Sequence, residues 1–224
     1  MNKLNRYKKV IKDIIIKVNQ IYSGEKINFN SYIRLGLITK YMKSIEAIAF
    51  LDKKGFFEDS AIILRTVFET FITILYCECD TENYRRFYDY NAVTRYGYIT
   101  ADKEILDLFN SIDNKNVKKL QHKEKEFMKK YKVNYNYNWS NNSIKTICKK
   151  LDKFYNKEIF SSMYLTIYKN YSDFVHPNII NLFSNYIKIS ENKIKCNTKP
   201  CYYEQDDEII RSIEEMNEIF MELC

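Results

Sequence analysis

Apolar residues in the stretch 3–22 fall at Leu4, Tyr7, Val10, Ile11, Ile14, Ile15, Val18 and Ile21, a spacing of three and four that predicts an amphipathic helix. The polar run SGEKINFN breaks it. The same spacing returns from Phe29 to Lys53 at Ile33, Leu37, Tyr41, Ile45, Ile48 and Ala49. Gly55 is placed to end that second helix, because a residue without Cβ turns left-handed at little cost. The stretch 56–78 is apolar almost all round, which predicts a helix buried on most faces. Asp80 or Thr81 is placed to cap the next helix, ENYRRFYDYNAVTRYGYI.

Farther along, the pattern weakens. Residues 102–133 are charged and only loosely periodic, ending in LQHKEKEFMKKYK. VNYNYNWSNNS reads as an Asn-rich surface loop, with Ser143 capping a helix over about 143–155. A further helix is expected over about 157–175, ended or kinked by Pro177, and apolar residues resume at Ile179, Ile180, Leu182 and Phe183. YIKISENKIKC alternates, which predicts a short hairpin near 186–197. DDEIIRSIEEMNEIFMEL closes the chain as a helix with acids in its first turn. No internal repeat or linker interrupts this order. The expectation is an all-α multi-helix bundle forming a single helical domain over 1–224.

Composition agrees with that architecture. Four glycines and two prolines in 224 residues leave little material for tight turns, and 16% aromatic content favours an ordered core. The net charge of +7 invites a polyanionic partner. Only seven of the 36 basic residues are arginine, however, and abundant Lys, Asn, Ile and Tyr are what an AT-rich coding sequence supplies, so charge alone does not assign that partner. Six cysteines sit at no metal-finger spacing. Cys77 and Cys79 diverge by about 200° on a helix of 3.6 residues per turn. The Cys196-to-Cys201 spacing could close a small loop, although a reducing compartment is expected. Lys12, Asp13 and Lys17 interrupt the apolar N-terminal stretch, and no segment is expected to reach transmembrane length, so the reading is cytoplasmic. No Gly-rich phosphate loop, G-x-S-x-G or H-E-x-x-H occurs, and no cofactor or metal is expected.

Three clusters carry candidate chemistry. Arg65 and Glu69 lie one turn apart on the most apolar helix, where isolated buried charges cost several kcal/mol. They form either a structural ion pair or the lining of an internal polar pocket. In YKNYSDFVHPN, the spacing puts Lys169, Asp173 and His176 along one helical face. There Asp173 could orient the imidazole, and the helix C-terminus biases its protonation. A phosphate held by lysine beside a proton-transferring histidine is one chemistry such a stripe supports; a helix-ending, hydrogen-bonded histidine is the other. His122, inside QHKEKE, reads as a surface residue. In NYRRFYDY, Tyr84, Phe87 and Tyr88 interleave with Arg85 and Arg86, a combination that stacks on bases and clamps phosphates, or that packs its tyrosines and leaves its arginines in water.

The order RTVFET, YRRFYDY, YKNYSDFVHPN resembles a widespread bacterial family, the domain of unknown function numbered 5677, over roughly residues 30–186. On that likeness the positions Arg65, Glu69, Arg86, Phe87, Ser172 and His176 match the family's Arg–x–x–x–Glu, Arg-Phe and Ser–x–x–x–His elements. It implies an all-α fold and no particular activity. KNYSDFVH is more distantly similar to the signature of HEPN ribonucleases, with Lys169 in the arginine position, Asn170 as the polar residue and His176 as the histidine. Lysine there is a point charge rather than a planar fork, and Arg65 or Arg86 could supply the missing guanidinium. That likeness implies metal-independent RNA cleavage by a homodimer, in antiphage defence or a toxin–antitoxin system. The competing readings are a helical module that binds a partner protein from the same locus, with Arg65, Glu69, Ser172 and His176 fixing helix register, and a pocket for a small anion such as a nucleotide.

Overall fold

The computed structural model describes residues 2–24, 27–132, 138–175, 187–190, 193–196 and 207–223, with backbone alone at Asp173 and in the strands. Among the described residues the chain is all-α apart from one short hairpin. By compactness it divides into two units, one formed by Met1–Leu75 with Cys148–Cys224 and one by Tyr76–Ile147.

In the first unit, α1 (Lys3–Tyr22), α2 (Phe29–Lys53) and most of α3 (Phe57–Cys79) follow in order. Asn2 and Asn28 cap α1 and α2 by accepting the N–H groups of Asn5 and Ser31. Gly55 ends α2 as its spacing predicts. With φ at 80° it lets its own N–H reach the Asp52 carbonyl and the Phe56 N–H reach that of Leu51, a left-handed cap in which two orphan carbonyls are satisfied. After α6 (Ile144–Tyr155) come α7 (Ile159–Met163), a π-helical stretch (Tyr164–Lys169) and α8 (Asn170–Val175). α9 (Glu208–Leu223) closes the unit. Asp152 of α6 starts α7 from eight residues upstream, its carboxylate accepting the N–H groups of Phe160 and Ser161 at 2.8 and 3.0 Å.

The core of this unit joins helices distant in sequence. Tyr41 of α2 packs on Phe71 of α3 and Phe220 of α9, with ring centroids 6.3 and 6.4 Å apart. Ile14, Ile45, Leu64, Phe160 and Ile213 are fully buried around them. α1 and α9 run parallel. Arg6 grips Glu214 with two hydrogen bonds of 2.9 and 2.6 Å and Asp207 with a third of 2.5 Å, while Lys17 donates to the Met221 carbonyl near the helix end. Lys3 and Tyr7 both donate to Asp52, tying the start of α1 to the end of α2.

The second unit is a helical hairpin, α4 (Glu82–Thr100) and α5 (Lys103–Tyr131), with the last turn of α3 and the first of α6. Asp80 rather than Thr81 starts α4, its carboxylate accepting the Glu82 N–H at 3.0 Å. Lys130 meets Glu82, and Tyr90 meets Phe127, so the two helices run antiparallel. The loosely periodic region is helical, with a break at Asp113, whose side chain restarts the helix by accepting the Asn116 N–H.

Two expectations need correction. VNYNYNWSNNS is not wholly a surface loop: Trp139 and Ser140 are buried, Trp139 lying edge-on to Phe87 at 5.2 Å and against Tyr76 at 5.9 Å. An indole buries more apolar area than an exposed loop would grant it, and its neighbours come from elements far back in the chain. α3 is also long and apolar enough to cross a membrane by length and composition, contrary to the reading that no segment is; 61% of its apolar window is buried within the protein. Other predicted features stand where they were expected. Ser143 accepts the Thr146 N–H at the start of α6. The strands Ile187–Ser190 (β1) and Lys193–Cys196 (β2) pair antiparallel with Ile187 opposite Cys196. Pro177 and the apolar residues 179–183 lie outside the described residues.

Candidate functional site

The three candidate clusters separate into different surroundings. α3 carries a less buried stripe through Ile62, Arg65, Thr66 and Glu69, and the ion pair sits on it, at the margin of the core rather than inside it. Arg65 Nε lies 3.6 Å from Glu69, with 19% of the Arg65 side chain exposed and 41% of Glu69. The firmer partner of Arg65 is Tyr168, which follows 103 residues later. Arg65 Nη2 donates to the Tyr168 hydroxyl at 2.7 Å, and the guanidinium carbon lies 4.3 Å from the Tyr168 ring centroid. Tyr164 stacks on the other tyrosine, centroids 5.4 Å apart and planes 20° apart. Ser172 donates to the Tyr168 carbonyl at 2.5 Å. Arg65, Glu69 and Ser172 are therefore brought together through Tyr168, a residue that sequence reasoning passed over. Its signal was faint: the pair Tyr164–Tyr168 at i,i+4 just before Lys169.

Lys169 and Asn170 fall where the π-helical stretch gives way to α8. Both are exposed and line an open groove of about 700 Å³. Arg211 and Ser212 of α9 line it as well, together with Thr166 and Tyr171. Two carboxylates, Glu208 and Glu215, share the lining, and Tyr171 donates to Glu208 at 3.4 Å. The guanidinium that shares this groove with Lys169 is that of Arg211. Arg65 is engaged with Tyr168 and Glu69, and Arg86 belongs to the other unit. Arg211 was missed because nothing in α9 itself marks it; only the folding of α9 beside the Lys169 segment brings it there. The backbone carries Asp173 one turn beyond Lys169 in α8. His176 lies outside the described residues.

In the second unit, Arg85 and Arg86 part company. Arg85 is exposed and pairs with Asp89 at 3.0 Å. Arg86 is half-buried, its guanidinium 5.2 Å from the Tyr131 ring centroid, its Nε without a hydrogen-bond partner among the described residues, and its pKa pulled below the usual arginine value by burial. Phe87 faces Trp139. His122 is solvated as expected, 73% exposed and 3.2 Å from Glu126. Among the described residues no three His, Cys, Asp or Glu side chains are grouped to hold a metal ion.

A family model matches residues 31–194, well over half the chain, and describes a family of unknown function, DUF5677. The chain belongs to that family. The match contains Arg65, Glu69, Arg86, Phe87, Ser172 and His176, the positions on which the resemblance was read. Compared with curated proteins and with solved structures, the chain gives no significant match.

Proposed function

We propose that this member of DUF5677 is a HEPN-like RNA-binding effector that cleaves RNA without a metal ion, acting as a homodimer. The observation that carries the reading is the groove in which Lys169 and Asn170 stand with Arg211 and Ser212. Two cations and two hydrogen-bonding side chains on one accessible surface, shared with Glu208 and Glu215, offer a phosphodiester a site between Lys169 and Arg211, and Arg211 supplies the planar fork that Lys169 lacks. His176 follows α8 in the chain and is the proton-transferring group of the proposal. It takes the proton of an RNA 2′-hydroxyl as that oxygen attacks the adjacent phosphorus, and the 5′-oxygen leaves with a proton taken from water, giving a 2′,3′-cyclic phosphate and a 5′-hydroxyl. Lys169 and Arg211 stabilise the charge that gathers on the phosphate.

The test is incubation of purified protein with transfer RNA and labelled single-stranded RNA in EDTA. Cleavage that disappears in His176→Ala and falls at least tenfold in Lys169→Ala and Arg211→Ala is the expected result. Folded wild type that neither cuts nor binds RNA overturns the proposal. Light scattering reads the dimer. A second reading, a module whose polar cluster fixes helix register for binding a partner protein, is favoured by the Arg65–Tyr168 bond between α3 and the π-helical stretch.

A further inference from the structure

The antiparallel hairpin of α4 and α5 encloses a second groove, of about 820 Å³, wholly within the unit Tyr76–Ile147. Its walls are two facing stripes. α4 contributes Arg85, Tyr88, Ala92 and Arg95, spaced at three, four and three, and α5 contributes Leu120, Lys123, Phe127 and Lys130 at three, four and three. Lys129 joins the α5 wall, so five cations line the groove.

Two carboxylates, Asp89 and Glu126, share it. Both already have partners. Asp89 accepts from Arg85 at 3.0 Å and from the Tyr131 hydroxyl at 3.3 Å, and Glu126 stands 3.2 Å from His122. Lys130 is held by Glu82 at 2.8 Å. Among the described residues, Arg95, Lys123 and Lys129 carry no ion pair, and all three are exposed. Among the described residues the groove thus has three cations without an ion pair, along one wall and at the end of the other, and one carboxylate, Glu126, that no lysine or arginine pairs. Its floor is apolar, with Ala92 and Phe127 buried, while Tyr88 at the rim is 47% exposed, its ring centroid 5.9 Å from the Arg85 guanidinium. Cations beside an accessible aromatic ring over an apolar floor suit a ligand with repeated negative charge and flat faces.

We infer that this groove binds a single-stranded segment of RNA, its phosphates against Arg95, Lys123 and Lys129 and a base on Tyr88. Arg85 and Arg95 are ten residues apart, about 15 Å of helix. That length accommodates about four nucleotides at a stacked rise of about 3.4 Å. The inference rests on the RNA reading above but uses none of its residues: His176, with Lys169 and Arg211, serves cleavage, and the hairpin binds the strand.

Fluorescence anisotropy with a 5′-labelled 12-nucleotide uridine RNA, titrated at several salt concentrations, tests it. The triple variant Arg95→Ala, Lys123→Ala, Lys129→Ala removes exposed side chains only, and its melting curve should match that of the wild type. Its plot of log affinity against log salt should be shallower by about 2, the slope that three single-strand phosphate contacts account for. Tyr88→Ala should weaken binding roughly five- to a hundredfold and Tyr88→Phe should restore it. If the wild type binds the RNA and the triple variant binds with the same affinity and slope, while Lys169→Ala and Arg211→Ala lose it, the hairpin groove is overturned and the RNA reading stands. If a duplex of the same length competes as well as the single strand, the stacking role of Tyr88 is overturned. If the folded wild type binds no RNA, both proposals fall.

Discussion

Tyr168→Phe removes one oxygen and leaves the aromatic ring on which Arg65 rests. In the wild type Arg65 Nη2 donates to that oxygen at 2.7 Å. A hydrogen bond to a charged group is worth about 1.5–3 kcal/mol when buried. The Arg65 side chain is 19% exposed, so water replaces part of the loss, and about 1 kcal/mol is expected. Arg65→Ala loses the same bond together with the contact over the ring, worth about 0.5–1 kcal/mol. The ion pair to Glu69 adds little, because at 3.6 Å with Glu69 41% exposed it falls among surface pairs worth less than about 1 kcal/mol. The single variant should therefore cost about 2 kcal/mol, and the double variant hardly more. Urea unfolding of the four proteins, read by circular dichroism, gives the coupling energy directly; about 1 kcal/mol is expected. Coupling below about 0.3 kcal/mol, with each single loss simply adding, would refute the conclusion that Arg65 is held by Tyr168. An RNA affinity that falls in Tyr168→Phe without loss of stability would place Arg65 in the binding surface instead.

Other consequences are sharp enough to check. Arg6 holds Glu214 by a hydrogen bond that depresses its carboxyl pKa below the usual value. A depressed carboxylate contributes stability above its unfolded pKa of about 4.3 and loses it as the pH falls through the lower folded value. Unfolding midpoints should thus drop more steeply below pH 4 in the wild type than in Arg6→Met, and parallel curves would disprove the link. Glu124 is buried on the inward stripe of α5 with one carboxylate oxygen unpaired among the described residues. Glu124→Leu should raise stability by about 1–2 kcal/mol, monitored through Trp139, the only tryptophan and a member of the same unit. Cys77 and Cys148 are buried, their thiols pushed up by burial, Cys148 to about 12. Mass spectrometry after brief alkylation at pH 8 should find both unmodified in the folded protein and modified after urea.

Much of the helical framework was legible because its determinants are local. The bounds of α1 and α2 follow from three- and four-residue spacing together with Asn2, Asn28 and Gly55, all within a turn of the ends they cap. Ser143 and Asp80 act in the same way for α6 and α4. α5 was harder to read, since its apolar stripe is interrupted by Glu124 and broken by the non-helical backbone at Asp113. The π-helical stretch left no mark in YLTIYK, because it differs from an α-helix by a shift of one residue in hydrogen bonding rather than by composition.

The sequence by itself determined that the chain is helical, that Arg65 and Glu69 share a helix face, and that Lys169 and Asn170 begin the segment leading to His176. Those are consequences of spacing along one element. Which arginine stands beside Lys169 was decided only in three dimensions: Arg65 turned to Tyr168, and α9 brought Arg211 into the groove. Trp139 left its Asn-rich surroundings for Phe87 and Tyr76 because burying an indole outweighs leaving it in water. The charges of the α4–α5 groove were all visible in the sequence, scattered over the 46 residues from Arg85 to Lys130 among many other lysines. Antiparallel packing of the two helices collected them on facing stripes, and periodicity within one helix carries no information about which stripe of another it will meet.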